Sequence, residues 1–519
     1  MRILGISEGS HDAAWCLIED GEILEAHHQE RHSRLKNDKW LDPKLLPKAD
    51  VVVGHQFLDK VNERREWSGQ KPIKRNIPVD YEYNHHETHA WAGWATAPFN
   101  DCDILTIDAV GEWDTATVHE VRDGNWKKTF GMKFPKSYGM PYSMVTSLIG
   151  YKPMQDEYIT MAMSAYGSRW EMPKVQVEHA SPGLDGKWTI GKFHKMNLTP
   201  LFEGSCFKSK HYIFNPRWQK AHVDWKGVGP ERNNKDVRRD LARNVQHHYE
   251  YFFYDLIDKH TSHKNLIIMG GCALNCVANS KVKARAAIIN TIKLKKNSTY
   301  KRTFGSLRPP IDNLWIMPNP GDAGSSLGAA ARHYGKKLNW KGPYLGTEAP
   351  RMNPQKIVDE LERTGIAAVC SGRAEFGPRA LGNRSLLVDP RDVTEGGHVT
   401  RQTIDEIKKR EQWRPFAPAI LDEEFINYFD GEPSDYMSWT SQHLTDNLSH
   451  VTHIDKSARV QSVKKDCDSV LREVLELWFK LTGCPVLLNT SLNVKGEPLI
   501  DTIEHYKDFC MRSGLNDLS

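Results

Sequence analysis

A chain of 519 residues exceeds what one hydrophobic core ordinarily supports, so two or more domains are expected. Hydrophobic residues at 39% and charged residues at 26% exclude a fibrous or disordered chain. The formal net charge of +4 singles out no acidic partner, and no apolar run approaches bilayer length.

In chain order, "RILGIS" from Arg2 is apolar and β-branched and predicts a strand. The polar "EGSHD" predicts a turn, and "AAWCLIEDGEILEAH" predicts two strands around Asp20-Gly21. The N-terminus lacks the long apolar region of a secretory signal. Nine scattered cysteines without a CxxC pair predict reduced thiols and a cytoplasmic setting.

"YEYNHHETHAWAGWA" begins at Tyr81 and carries His85, His86 and His89. His85 and His89 are four apart, and Ala90, Trp91, Trp94 and Ala95 supply the apolar spacing of a helix. On a helix the two imidazoles share one face and suit a metal; a solvated helix face carries the same spacing, so a metal needs further ligands. Asp108 ends the strand-like run in "ILTIDAVGE", and Asp322 lies in "NPGDAG". Two imidazoles with carboxylates suit a divalent first-row metal: iron, with zinc or manganese as competitors.

"NLIIMGGCALNCVANSKV" reads as a strand, the pair Gly270-Gly271, then a helix-like segment with Asn275. Such a turn brings ligand close to backbone and offers N–H groups to an anion. "LWIMPNPGDAGSSLGAAARHYG" repeats that form, so the units predict an α/β architecture with ligands at strand ends. Lys281 to Arg308 holds nine Lys/Arg and no acidic residue. Lys293, Lys295, Lys296, Lys301 and Arg302 within it are candidate nucleic-acid contacts, with a plain solvated loop as the alternative.

"KGPYLGTEAPRMNP", residues 341–354, reads as a linker, and the remainder as a separate α/β domain. There Arg373, Arg379 and Arg384, then Lys408, Arg410 and Arg414, stand among Gly/Pro-rich turns, as a phosphate pocket requires. Asn489, Ser491 and Asn493 follow an apolar strand and suit a nucleotide or a carbonyl, or simply cap the strand.

These motifs, in this order, resemble the O-carbamoyltransferase family of nodulation-factor, cephalosporin and aminoglycoside carbamoyltransferases. The likeness spans nearly the whole chain and is carried by "ILGISEGSHDAAW", "HHETHA", "TIDAVGE", "GGCALNCVAN", "PNPGDAGSSLGAA", "GRAEFGPRALGNRSLL", "KKREQWRPFAP" and "LNTSLNVKGEPL". The resemblance implies an ASKHA-type (actin/hexokinase-like) domain over residues 1–345 and a YrdC-like domain over 346–519. It implies that the second domain forms carbamoyl adenylate from carbamoyl phosphate and Mg2+-bound ATP, and that a hydroxyl acceptor attacks this intermediate in the first. It further implies iron on His85, His89, Asp108 and Asp322, and His11 as general base. The arginines and lysine above, with Asn489, Ser491 and Asn493, would bind nucleotide and carbamoyl phosphate; Gly270, Gly271 and Asn275 would serve a nucleotide in the first domain.

A sugar hydroxyl or a 5-hydroxymethylpyrimidine, free or in DNA, is the expected acceptor, and a homodimer the expected assembly. Threonylcarbamoyl transfer to tRNA and a non-catalytic nucleotide-binding module are the alternatives. The chain departs from the family's pattern at Ala109, Ile159 and Ala162, where glycine, lysine and glycine are usual.

Overall fold

The computed structural model describes residues 1–67, 69–134, 136–167, 234–284, 310–391, 401–411, 413–445 and 448–519. They form two compact units: one of residues 1–55, 75–81 and 316–519, the other of 56–74 and 82–315. Both are mixed α/β.

The first unit opens with β1 (Arg2–Ser7), β2 (Ala14–Glu19) and β3 (Glu22–His28), a short helix α1 (Gln29–Ser33), and β4 (Val51–His55). The strands run in the order β3-β2-β1-β4, with β1 antiparallel to β2 and parallel to β4. The hairpin predicted around Asp20-Gly21 is present, with φ of 48° and 91° at its two turn residues. That is the left-handed pair a tight hairpin turn demands.

The second unit carries α2 (His85–Thr96), β5 (Cys102–Ile107), β6 (Asp114–Arg122), β7 (Asn125–Lys133), α3 (Glu157–Met163), α4 (Asn234–His260), β8 (Asn265–Met269) and β9 (Asn313–Trp315). Its sheet runs β9-β8-β5-β6-β7; β9, β8 and β5 are parallel, and β5, β6 and β7 antiparallel. Helix α2 lies on this sheet so closely that a Cβ on Gly93 would come 2.6 Å from Ile267 and Met269.

Back in the first unit, α5 (Ser325–Tyr334) packs on β1, β2 and β4. Its small residues permit this: a Cβ on Gly5 of β1 would lie 1.9 Å from the Ser326 carbonyl oxygen. Then come β10 (Tyr344–Ala349), α6 (Pro354–Thr364), β11 (Ile366–Cys370), β12 (Gly372–Glu375), β13 (Arg384–Val388), α7 (Arg401–Lys408), β14 (Ala417–Leu421), β15 (Gln461–Val463), α8 (Val470–Thr482) and β16 (Val486–Ser491). A second sheet runs β11-β13-β16-β14-β15, antiparallel except for β14 with β15. Ile357, Leu361, Leu471, Leu475 and Trp478 of α6 and α8 belong to its core.

Residues 341–354, expected as a linker, instead contain β10, which pairs antiparallel with β12. Proline and glycine flank a six-residue run whose Leu345 and Ala349 are buried, and that burial outweighs the local turn signals. Among the described residues, no helix is long and apolar enough to cross a membrane, and eight cysteines are free thiols.

Candidate active-site residues

Helix α2 begins where Asn84 caps it, its side chain accepting from the Glu87 N–H at 3.2 Å. The Glu112 carboxylate fastens the same end, accepting from His85 N at 3.0 Å and Phe57 N at 2.8 Å, and from the Asn84 side chain. Burial raises the Glu112 pKa against those backbone donors. This clamp sets the helix phase. His85 and His89 then share one face: their Nε2 atoms lie 3.3 Å apart, and each is 3.4 Å from Asp108 Oδ2.

Asp108 is presented by the end of β5, and its Oδ1 accepts from Ala109 N at 2.7 Å. Glycines make room around it. A Cβ on Gly271 would lie 3.1 Å from Asp108 Oδ1, and one on Gly111 2.9 Å from the His85 ring. Gly270 has φ of 91°, and a Cβ there would meet the Ile107 carbonyl oxygen at 2.2 Å.

The trio fits a metal. Donor atoms about 2.1 Å from a common ion in tetrahedral array stand about 3.4 Å apart, the separation found here. Gln56 Oε1 lies 3.4 Å from His85 Nδ1, the outer contact that orients a ligating imidazole. His86 turns to β6, with Nδ1 3.2 Å from Thr117 Oγ1, and burial drives its pKa well down; it stands apart from the trio.

In the other unit, Asp322 opens the turn before α5, and its Oδ2 accepts from Ser10 Oγ at 2.8 Å. His55, at the end of β4, is fully buried. His55 and Asp322 in this unit, like His85 and His89 in theirs, are buried and carry donor atoms of the kind a metal takes. Sequence reasoning passed over His55, whose only signal is a histidine ending an apolar strand, and over Gln56 and Glu112.

His11 lies in the turn between β1 and β2, with Nδ1 3.0 Å from Asp12 Oδ2. Asn275 uses its side chain to cap the short helix Cys276–Asn279, accepting from Ala278 N at 3.0 Å, and exchanges hydrogen bonds with Gln246. Gly270 and Gly271 form the turn that leads into it. Ile159 and Ala162 lie on α3, Ile159 fully buried.

In the C-terminal part of the first unit, Lys408 ends α7 and is buried. Its Nζ donates to the Ser491 carbonyl, to Ser491 Oγ at 3.1 Å and to Asn493 Oδ1 at 2.9 Å. Burial, reinforced by the charges of Arg410 and Arg414, pushes the Lys408 pKa well below the usual lysine range. Arg410 pairs with Asp405 at 3.1 Å and covers the Phe416 ring; Arg414 pairs with Glu411 at 3.4 Å. Arg379 is half-buried on the loop after β12.

Two other arginines point into the scaffold. Arg384 is fully buried and donates to the carbonyls of Asp501, Ser371, Gly372, Asn383 and Thr347. Arg373 donates to those of Gly346, Leu24 and Leu345. Asn489 bridges Gln461 and Ala380. Helix α1 is bound to the same region: Arg31 reaches the carbonyls of Glu375 and Gly377, and Arg34 those of Pro498 and Leu499. Lys281 pairs with Glu250 at 2.7 Å, while Lys293, Lys295, Lys296, Lys301 and Arg302 lie outside the described residues.

Residues 44–291 match the family model described as carbamoyltransferase N-terminus, and residues 358–519 the one described as carbamoyltransferase C-terminus. Nodulation protein U of Sinorhizobium fredii is 33% identical over 96% of this chain and 94% of its own length. Nodulation protein NolNO of the same organism is 27% identical over 95% of this chain and 75% of its own. Among solved structures, component A of (R)-2-hydroxyglutaryl-CoA dehydratase from Acidaminococcus fermentans superimposes with a TM-score of 0.32 at 13% identity, covering 64% of this chain and 98% of that one.

Proposed function

Since this chain belongs to the carbamoyltransferase family and is a transferase, we propose that it is an ATP-dependent O-carbamoyltransferase. Carbamoyl phosphate gives up its phosphate to water, and the resulting carbamate displaces pyrophosphate from ATP to form carbamoyl adenylate; the carbamoyl group then passes to an acceptor hydroxyl and AMP leaves. We assign the first step to a YrdC-like region within residues 346–519 and the second to an ASKHA-type region within 1–345.

The observation that supports this most directly is the match of both the N-terminal and C-terminal carbamoyltransferase models to one chain. The donor chemistry agrees. Lys408, clasped by Ser491 and Asn493, sits with Arg410 and Arg414 in a cationic cluster suited to triphosphate and carbamoyl phosphate. Arg379 joins this group as a phosphate contact. Arg373, Arg384 and Asn489 hold the strands that carry it. Gly270, Gly271 and Asn275 serve a nucleotide in the N-terminal region.

His85, His89 and Asp108 would hold a divalent ion, with Asp322 as the further ligand that the resemblance implies. Iron suits the set, and Mg2+ would accompany ATP. When bound, the ion would polarise the carbamoyl carbonyl or steady the departing phosphate. Glu112 and Gln56 keep His85 in its orientation. His11 takes the proton of the acceptor hydroxyl as that oxygen attacks the carbamoyl carbon.

Sugars on small molecules lead the list of acceptors. The all-basic run within Lys281 to Arg308 motivates a 5-hydroxymethylpyrimidine in a nucleotide or in DNA. A cytoplasmic setting, with ATP and reduced thiols, and a homodimer complete the proposal. The test is to supply ATP, Mg2+, carbamoyl phosphate and divalent iron with aminosugars and hydroxymethylcytosine DNA in competition. AMP, pyrophosphate and an acceptor heavier by one carbamoyl group are expected. Neither AMP nor pyrophosphate under any divalent metal would overturn the assignment; product on sugars alone would eliminate the DNA version.

A further inference from the structure

The turn that presents His11 is held more firmly than a surface turn needs. Asp12 has φ of 61°, a left-handed backbone that is costly outside glycine and better tolerated by Asp and Asn. That conformation swings the Asp12 carboxylate onto its own neighbour, so Oδ2 lies 3.0 Å from His11 Nδ1. The other oxygen, Oδ1, accepts from Asn37 Nδ2 at 2.7 Å.

Asn37 is itself left-handed, with φ of 57°, and its N–H donates to Glu30 Oε2 at 2.8 Å. Lys36 Nζ lies 3.3 Å from the other Glu30 oxygen. Backbone bonds lace the two segments together: Gly9 N to the Lys39 carbonyl, Ala13 N to that of Asp38 and Gln29 N to that of Ala13, each 2.8 Å. Two adverse conformations thus face each other across one carboxylate, and the contacts around them sustain both.

We propose that Asp12 is the positioning residue of His11, fixing the ring with its proton on Nδ1, and that Asn37 and Glu30 hold Asp12 in place. This rests on the assignment of His11 as general base. A proton on Nδ1 leaves the basic lone pair on Nε2, so one ring orientation and one tautomer face the acceptor. Burial works to raise the Asp12 pKa, but the hydrogen bond and charge of His11, with the Asn37 bond, outweigh it and hold the carboxyl low. Asp12 is therefore ionised wherever His11 can act as a base.

The test uses the full chain with Asp12→Asn, His11→Gln and the double variant. Asparagine tolerates the left-handed backbone and can still accept from Asn37, so the turn is kept while the charge is lost. Pyrophosphate exchange with ATP should equal the wild-type rate in all three. Transfer should fall about 100-fold or more in kcat for Asp12→Asn, with acceptor KM within about threefold. In the His11→Gln background, Asp12→Asn should cost nothing further, because its effect runs through His11. Equal losses in both backgrounds would make Asp12 a structural clamp and overturn the proposal.

Nitrogen-15 NMR of the histidine rings separates this from the wider assignment, the His11 signals being those missing in His11→Gln. The Nδ1–H tautomer in the wild type, lost in Asp12→Asn, is expected. An Nε2–H tautomer in the wild type overturns the inference whatever the acceptor. Wild-type chain with the Nδ1–H tautomer but no carbamoyl transfer overturns the functional assignment instead.

Discussion

The Nε2 atoms of His85 and His89 stand 3.3 Å apart, each 3.4 Å from one carboxylate oxygen of Asp108. Without a cation, two buried imidazoles and a carboxylate would have to share protons at that spacing. Asp108→Asn keeps the shape and removes the charge. The expected outcome is at least a tenfold loss of affinity for Fe2+ or Zn2+, measured by equilibrium dialysis and elemental analysis, with pyrophosphate exchange unchanged. Glu112→Gln, one step removed, should weaken metal binding less and lower the melting temperature through the start of α2.

Lys408 should carry the activation step. Lys408→Met is expected to lower ATP–pyrophosphate exchange about 100-fold or more while transfer from supplied carbamoyl adenylate persists. The pH dependence follows from its lowered pKa. The charged form is disfavoured in the fold, so the ammonium is lost below the ordinary lysine value of 10.5 and exchange should fall on that alkaline side. Lys408→Arg should move this limb to higher pH. Stability runs the other way: the unfolded chain holds the proton through that window and the folded chain does not, so stability rises with pH there. The methionine variant should lack that rise.

Arg384→Lys tests whether the guanidinium is scaffold. Its donors reach carbonyls on several segments, and an ammonium cannot span that fork. Leaving buried carbonyls unpaired should cost about 3 kcal/mol, read by urea denaturation. A merely phosphate-binding Arg384 would leave stability unchanged and alter only the Michaelis constants.

Gly270→Ala places a methyl group where the Ile107 carbonyl stands, at a φ that alanine resists. A loss of about 2 kcal/mol in unfolding free energy is expected. The strain is delivered to the residue before Asp108, so metal affinity should fall with it, measured by the same dialysis.

Local chemistry made much of this legible. Alternation and Asp20-Gly21 gave the first hairpin; the four-residue spacing and apolar face gave α2; an aspartate after an apolar run gave Asp108 its strand end. What stayed hidden depends on long-range register. Glu112 reaches His85 only because the turn after β5 folds back on the start of α2. Arginines among glycines look alike in sequence whether they meet phosphate or grip carbonyls, since both present oxygen acceptors; that Arg373 and Arg384 donate to backbone carbonyls emerges only from the fold. Residues 344–349 read as punctuation because their partner, β12, lies more than twenty residues on.

Arg31 and Arg34 give the chain an unexpected indivisibility. Arg31 lies on the five-residue helix α1 and Arg34 caps its C-terminal end, yet they fasten the backbone at 375–377 and 498–499. Recombination at the apparent seam near residue 345 would therefore cut β10 itself and set both arginines against the backbone of foreign loops. Engineered hybrids should stay stable only where the incoming loops set those carbonyls at the same positions, so the C-terminal part is not interchangeable as a cassette.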